Sequence, residues 1–164
     1  MSHERSPKSE MPVVILCGGQ GTRLREETEH KPKPMVEIGD HPILWHIMKH
    51  YGHYGLEHFV LCLGYKGWAI KQFFLRYHEM QRDFTISMRG DAKPEFHNAR
   101  GEERWRVTCA ETGLETGTGG RLWRVQRYID TETFFFTYGD AVGTVDLDAL
   151  LDFHWRHGRI ATVT

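Results

Sequence analysis

The sequence predicts an α/β fold of three layers, with a mainly parallel sheet between layers of helices. Short apolar runs such as Pro12–Cys17 and His58–Leu63 are typical of strands buried on both faces, and they alternate with segments of helical spacing. Glycines follow both runs directly, at positions 18 and 64. Because ligands of parallel sheets bind at the carboxyl ends of the strands, we expect a site beside these glycines.

The elements follow from periodicity and from turn residues. Ile43, Ile47 and Tyr51 recur at helical spacing, while Asp146 and Gly158 are typical of the start and the end of a helix. Helices are predicted over residues 42–54, 68–80, 121–129 and 145–157, and strands over residues 12–17, 58–63, 84–88, 104–110 and 134–138.

Three further segments carry separate predictions. Residues 89–103 are rich in charge and contain glycine and proline, which predicts an exposed loop or a hairpin. Residues 104–110 alternate like a strand that pairs antiparallel at a sheet edge. Residues 160–164 are β-branched and read as half a strand, so we expect a fold truncated at its C-terminus.

Composition bounds the size and the partners of the protein. A chain of 164 residues allows one domain and part of another at most. The net charge of −1 offers no general attraction for nucleic acid or an anionic membrane, so neither is expected as a partner. No apolar run approaches the roughly 18 residues of a membrane span, and the start of the chain lacks the apolar core of a signal peptide. We therefore expect a cytoplasmic protein, with a disordered polar tail at residues 1–11 and a folded part at residues 12–164.

The cysteines favour neither a disulfide framework nor a zinc ribbon. Cys17, Cys62 and Cys109 lie far apart and none belongs to a C-x-x-C pair. They are predicted to be small buried residues.

The strongest local motif follows the first strand and contains three glycines and an arginine. Successive glycines let backbone N–H groups approach an anion closely, and Arg23 adds a forked cation suited to a polyphosphate. No Gly-Lys-Ser/Thr triplet is present, which excludes a P-loop, and Leu24 stands where a Rossmann fingerprint needs its third glycine. An ordinary turn with a surface arginine stays an alternative. The motif reads Leu16, Cys17, Gly18, Gly19, Gln20, Gly21, Thr22, Arg23, Leu24.

A second motif places a lysine between two prolines. Residues 31–35 read KPKPM, and residues that precede proline avoid the helical region, so the stretch is extended and stiff. Lys33 is therefore held on a short, ordered arm that can aim a point charge at a phosphate. A solvated basic loop is the alternative interpretation.

Together the two motifs resemble the signature of the sugar-1-phosphate nucleotidyltransferases, G-G-x-G-T-R-L followed after a spacer by P-K-P. Residues 35–48, the T-G-G-R-like stretch Thr116–Leu122 and the phrase Phe136–Asp140 are similar to the glucose-1-phosphate cytidylyltransferase branch. The resemblance covers residues 11–164. It implies a three-layer, Rossmann-like nucleotidyltransferase fold, of which this chain would be the N-terminal, nucleotide-binding part.

The resemblance also implies roles for individual residues. Arg23 would meet the leaving phosphates and Lys33 the α-phosphate and the sugar phosphate, both as catalytic residues; Asp140 would bind Mg²⁺. Arg121 and Thr116 would read the base, because a guanidinium can donate to the O2 and N3 acceptors of cytosine. A solvent-facing arginine and a turn aspartate are the alternatives at positions 121 and 140. The implied nucleotide-binding residues are Leu16, Cys17, Gly18, Gly19, Gln20, Gly21, Thr22, Arg23, Thr116, Arg121 and Gly139.

The implied reaction joins CTP and α-D-glucose 1-phosphate to give CDP-glucose and pyrophosphate. By resemblance, it belongs to polysaccharide biosynthesis in a homo-oligomeric enzyme, and the sugar-contacting residues and a second metal ligand are expected beyond Thr164. An enzyme that uses UTP or dTTP is one alternative. An inactive nucleotide-binding fragment or a regulatory relative is another.

Overall fold

A computed structural model describes residues 6–19, 31–90, 93–97 and 103–164. The strands in these ranges are β1 (Pro12–Cys17), β2 (Glu37–Ile38), β3 (His41–Pro42), β4 (His58–Leu63), β5 (Asp83–Thr85), β6 (Glu95–His97), β7 (Arg106–Glu111) and β8 (Phe135–Tyr138). The α-helices are α1 (Ile43–His53), α2 (Gly67–Met80), α3 (Thr118–Val125) and α4 (Leu147–His157). Short 3₁₀ turns lie at Lys8–Glu10, Lys33–Met35 and Gln126–Tyr128. The prediction that residues 31–35 are extended is therefore wrong for Lys33–Met35, whose turn is closed by a hydrogen bond from the Val36 N–H to the Lys33 carbonyl at 3.0 Å.

Four strands form one parallel sheet in the order β7-β4-β1-β8. β1 is central, and its Val13 lies opposite both Phe59 and Phe135. Five of the six residues of β1 are buried, which is the pattern of a strand covered on both faces. The predicted parallel sheet is confirmed.

Apolar side chains cover both faces of this sheet. Three helices, α1, α2 and α4, contribute to the larger core, in which Leu44, Ile70 and Leu151 are buried beside alternate residues of β1 and β4. On the opposite face, Val125 of α3 packs with Val14 and other strand residues. Since helices lie on both faces, the predicted three-layer architecture is confirmed.

The chain reverses its direction across the sheet after β7. The connections through α1 and α2 run outward from β1 to β4 and β7, whereas the connection through α3 returns past β1 to β8. Right-handed crossovers that run in opposite directions place their helices on opposite faces. The reversal therefore explains why α3 lies on the opposite face from α1 and α2. It also creates a topological switch point between β1 and β8, and ligands of such sheets bind at the carboxyl ends of the strands there.

Two strand predictions need correction. The strand at Arg106–Glu111 lies at the sheet edge, as predicted, but it is parallel to β4 and not antiparallel, with Arg106 opposite His58. The prediction was wrong because α2 and the hairpin of β5 and β6 return the chain to the end of the sheet at which β4 begins. Residues 160–164 form no strand; instead the Thr162 hydroxyl contacts ring nitrogens of His154 and His157 at 2.9 and 2.7 Å.

Two residues of the segment predicted as a polar tail contact the folded part. Lys8 forms an ion pair with Asp148, and Met11 is buried in the core. Residues 1–5 of that tail lie outside the described part. The described residues include no helix long and apolar enough to cross a bilayer.

We expect Asp146→Ala to lower the free energy of unfolding by about 1 kcal/mol, because the carboxylate caps α4. Its oxygen accepts a hydrogen bond from the Ala149 N–H at 3.0 Å. Urea denaturation measures the effect. Asp152→Ala is the matched control, since Asp152 is exposed on the same helix. Equal losses in the two variants would contradict the cap.

Candidate functional site

The loops after the parallel strands line a pocket of about 340 Å³. It lies over the carboxyl ends of β1 and β8, at the switch point of the sheet. Gln20, Gly21, Thr22 and Arg23, all predicted site residues, lie outside the described residues. The described lining is Leu16, Cys17, Gly18, Gly19, Lys33, Pro34, Leu114, Glu115, Thr116, Gly117, Thr118, Arg121, Tyr138 and Asp140.

Lys33 and Asp140 meet in this pocket although they lie 107 positions apart in the chain. The Lys33 Nζ atom donates to an Asp140 carboxylate oxygen at 3.3 Å. The two side chains are 24% and 42% exposed, and an ion pair this accessible contributes only about 0–1 kcal/mol. A ligand can therefore separate the two side chains at small cost. An anionic group of the ligand would bind the lysine, and a cation would bind the carboxylate.

Gly139 lets the Lys33 segment approach the sheet. A Cβ at this position would lie 2.9 Å from the Leu16 carbonyl oxygen and 3.2 Å from Cγ of Pro34. The Gly139 N–H donates to the same Leu16 carbonyl at 3.0 Å. The predicted nucleotide residue at this position thus sets how closely β1, β8 and the proline arm come together.

The loop after β1 is held by its neighbours and leaves one glycine open. The Tyr65 N–H donates to the Gly18 carbonyl oxygen at 3.2 Å. Gly19 is exposed, and a Cβ there would meet no atom within 4 Å. The space beside Gly19 would admit an anion, and phosphate binding there stays the prediction of the motif.

Arg121 is buried, so the alternative of a solvent-facing arginine is wrong. Its side chain lies across the strand ends, and only 5% of the residue is exposed. Nη1 donates to the Leu63 carbonyl at 3.0 Å and to the Thr112 hydroxyl at 2.6 Å. Nη2 donates to the carbonyls of Gly18 at 3.0 Å and Leu114 at 3.1 Å. The four N–H groups of the two terminal nitrogens are therefore satisfied by the protein, and base reading by Arg121 stays a prediction that requires an exchange of partners.

Arg124 stabilises the loop after β7 from the outside. It donates to the Thr112 carbonyl and, at 2.8 Å, to the Thr116 hydroxyl. Gly113 has a φ of 87°, which favours glycine in this loop. The Thr116 hydroxyl keeps its own proton, so it can still donate to a ligand. Sequence reasoning missed Arg124 and Thr112; the only signal was the spacing of two arginines three residues apart on α3, which puts both near one loop.

The buried cysteine thiols, of which Cys17 lines the pocket, are unsuited to nucleophilic chemistry. Burial raises the pKa of Cys17 well above its ordinary value and raises the pKa of Cys62 to about 11. Both thiols therefore stay protonated at neutral pH, and only thiolates are reactive. The prediction of small buried residues is confirmed for both, whereas Cys109 is partly exposed.

Two carboxylates line the described part of the pocket, Glu115 and Asp140, and Asp140 is the one that contacts Lys33 and could hold a metal ion there. The described ranges contain no group of three or more His, Cys, Asp and Glu side chains placed to share an ion. Zinc sites use three or four protein ligands, whereas Mg²⁺ is commonly held by one or two carboxylates together with phosphate oxygens. Asp140 is accessible and lies beside Lys33 and the Gly18–Gly19 backbone, which fits Mg²⁺ held together with phosphate oxygens.

A larger groove of about 490 Å³ lies elsewhere, between α2 and β7. Phe74, Trp105 and Val107 are among its lining residues, and none of the predicted site residues is. Its size is therefore not a sign of the chemistry that the motifs predict.

Comparison with known proteins supports the fold and the family. The chain matches the nucleotidyl transferase family over residues 12–164. It is 52% identical to the glucose-1-phosphate cytidylyltransferase of Salmonella typhimurium, over 94% of this chain and 60% of that protein. It is 45% identical to a probable glucose-1-phosphate cytidylyltransferase of Bacillus subtilis, over 94% of this chain and 59% of that protein.

The crystal structure of HddC from Yersinia pseudotuberculosis superposes with a TM-score of 0.62 at 26% identity, over 88% of this chain and 54% of that one. The chain thus spans about three fifths of the length of the two cytidylyltransferases.

We expect Gly139→Ala to lower the free energy of unfolding by roughly 1–3 kcal/mol, because the new Cβ would crowd Leu16 and Pro34. Gly143→Ala is the matched control: its Cβ would lie 3.9 Å from the nearest atom, on Val145. Chemical denaturation of both variants measures the difference. A Gly139→Ala protein as stable as the control would contradict the close approach.

Proposed function

Because this chain belongs to the nucleotidyl transferase family, we propose that it acts in the transfer of a cytidylyl group from CTP to α-D-glucose 1-phosphate, which gives CDP-glucose and pyrophosphate. The names of the Salmonella and Bacillus relatives support the choice of base and sugar. The observation that carries the proposal for this chain is the Lys33–Asp140 pair beside the Gly18–Gly19 backbone, in one pocket. A cation, a carboxylate and open N–H groups are what a metal-bound triphosphate requires.

The reaction needs little covalent chemistry from the protein. An oxygen of the sugar phosphate attacks the α-phosphorus of CTP, a new P–O bond forms, and the bond to the β-phosphate breaks with release of pyrophosphate. The attacking phosphate is already an anion, so no general base is required. Positioning and charge stabilisation then carry most of the rate.

Lys33 supplies the charge at the reacting phosphate. It leaves Asp140 when the triphosphate binds and donates to oxygens of the α-phosphate and of the sugar phosphate. The extended backbone at Pro32, with φ −68° and ψ 149°, starts the short turn that carries Lys33. This local stiffness lowers the entropy lost when the lysine is aligned. Arg23 has the corresponding role at the β- and γ-phosphates.

Asp140 would hold Mg²⁺ through its carboxylate. When bound, this ion supplies neutralisation of the triphosphate oxygens. Release of the lysine on nucleotide binding would free the carboxylate for the ion, so the two ligands are expected to bind together. Thr116 lies on the same pocket wall and can donate to an acceptor on the base.

The test is pyrophosphate release by this chain with glucose 1-phosphate, Mg²⁺ and each of CTP, UTP and dTTP, together with calorimetric titration of each nucleotide. Turnover that is fastest with CTP supports the proposal. Preference for UTP or dTTP would assign a different base. Binding of CTP without turnover would identify a nucleotide-binding unit whose chemistry needs further residues, and no binding would contradict the cradle.

We expect Lys33→Ala to lower kcat roughly a hundredfold, because a preorganised charge at the reacting phosphate is lost. Lys31→Ala is the control: Lys31 lies on the same arm but is exposed and pairs with Glu37. Steady-state pyrophosphate release measures both. A loss of similar size in Lys31→Ala would indicate damage to the arm and not a missing charge.

We expect Asp140→Asn to raise the Mg²⁺ concentration needed for half-maximal CTP binding by about tenfold, because the neutral amide is a weaker ligand for a hard cation. Calorimetry at several Mg²⁺ concentrations measures the shift. Affinity without Mg²⁺ should not fall, because the substitution removes a negative charge beside the triphosphate and releases Lys33. An unchanged Mg²⁺ dependence would remove Asp140 from the metal site.

A further inference from the structure

One side chain joins the carboxyl ends of three of the four parallel strands. The acceptors of Arg121 are Gly18 after β1, Leu63 at the end of β4, and Thr112 and Leu114 after β7. Arg121 itself lies on α3, in the layer behind the sheet. The guanidinium therefore connects the ends of β1, β4 and β7 through one rigid planar group.

Two glycines leave the space that the Arg121 guanidinium occupies. A Cβ at Gly18 would lie 2.1 Å from Nη1, and a Cβ at Gly64 would lie 2.7 Å from the same atom. The two glycines after β1 and β4 thus make the space that the guanidinium fills. All four acceptors are carbonyl or hydroxyl oxygens, so the cation is stabilised by fixed dipoles and not by a carboxylate.

We propose that Arg121 is a positioning residue for the triphosphate and does not read the base. By fixing the Gly18 carbonyl, it holds the Gly18–Gly19 backbone in place. This inference rests on the proposed nucleotide-binding function. A base could contact the terminal nitrogens only by displacing one of the four hydrogen bonds, and the displaced carbonyl or hydroxyl oxygen would lose its arginine partner.

The positioning role predicts an effect that is common to all nucleotides. If the loop after β1 shifts, the phosphates lose their alignment whichever base they carry. A base-reading arginine would instead change the ratio of affinities for CTP and UTP. A purely electrostatic arginine would be replaceable by lysine, which keeps the charge but has three donors on one atom and cannot reach four acceptors in a fork.

The first test is Arg121→Lys, with Mg²⁺-CTP and Mg²⁺-UTP titrated separately by calorimetry. We expect both dissociation constants to rise by roughly tenfold or more and by the same factor. A change in the CTP-to-UTP ratio would overturn the proposal in favour of base reading. Wild-type affinity in Arg121→Lys would overturn it in favour of charge alone.

The second test leaves Arg121 and the lining of the pocket unchanged. Gly64→Ala places a Cβ 2.7 Å from Nη1 and 2.7 Å from the Gly18 carbonyl oxygen, so it should displace both. We expect the same equal loss of affinity for CTP and UTP. Gly119→Ala is the matched control. Gly119 lies on the same helix as Arg121, and a Cβ there would meet no atom within 4 Å. Unchanged affinity in Gly64→Ala would contradict the proposal even if Arg121→Lys failed to fold.

A third measurement needs no nucleotide, which separates this inference from the proposed function. Cys17 precedes Gly18 and is 1% exposed, so its alkylation by iodoacetamide reports how firmly the loop is held. We expect Arg121→Lys and Gly64→Ala to raise the alkylation rate of Cys17 at least tenfold relative to Cys109, as followed by mass spectrometry, with Gly119→Ala at the wild-type rate. If Cys17 stayed protected in both variants, Arg121 would not hold the loop. If the wild-type chain bound no nucleotide while Cys17 responded as expected, the proposed function would fail and the anchoring would stand.

Discussion

The parallel pairing of β1 with β4 on one side and β8 on the other is the constraint on which the site depends. Because the strands point the same way, the loops after them meet at one edge of the sheet. Lys33 reaches this edge only because Gly139 leaves room for the proline arm beside β1. The pocket therefore depends on the direction of the strands, and its residues come from several segments of the chain.

A buried cation then ties the loops of this edge together. The guanidinium of Arg121 exchanges its hydration for four neutral acceptors, which is favourable only when all of them are held in place. The hydrogen bonds that stabilise the buried charge are thus the same bonds that hold the loops in place. The Lys33–Asp140 pair is the opposite case: it is accessible, contributes little to stability and is free to exchange partners with a ligand. The pocket combines a fixed wall with exchangeable charges.

Most of the elements could be predicted because their signals are local. Periodicity and turn residues located the strands at Pro12–Cys17 and His58–Leu63 and the helix that ends before Gly158. The direction of β7 was not local, since it depends on how α2 and a hairpin return the chain to the sheet. A β-branched run at residues 160–164 likewise forms no strand in the structure, because strand formation requires a neighbour to pair with and composition does not supply one.

By itself, the sequence determined the fold class, the two motifs that form part of the pocket, and the residue types that phosphate chemistry needs. These properties follow from short-range patterns of burial, backbone freedom and charge. Only the tertiary structure decided that Lys33 contacts Asp140 and that Arg121 is buried against the Gly18 carbonyl, not exposed at a helix start. Contacts between residues about a hundred positions apart depend on strand order and on the space left by glycines, and neither is a property of any local segment.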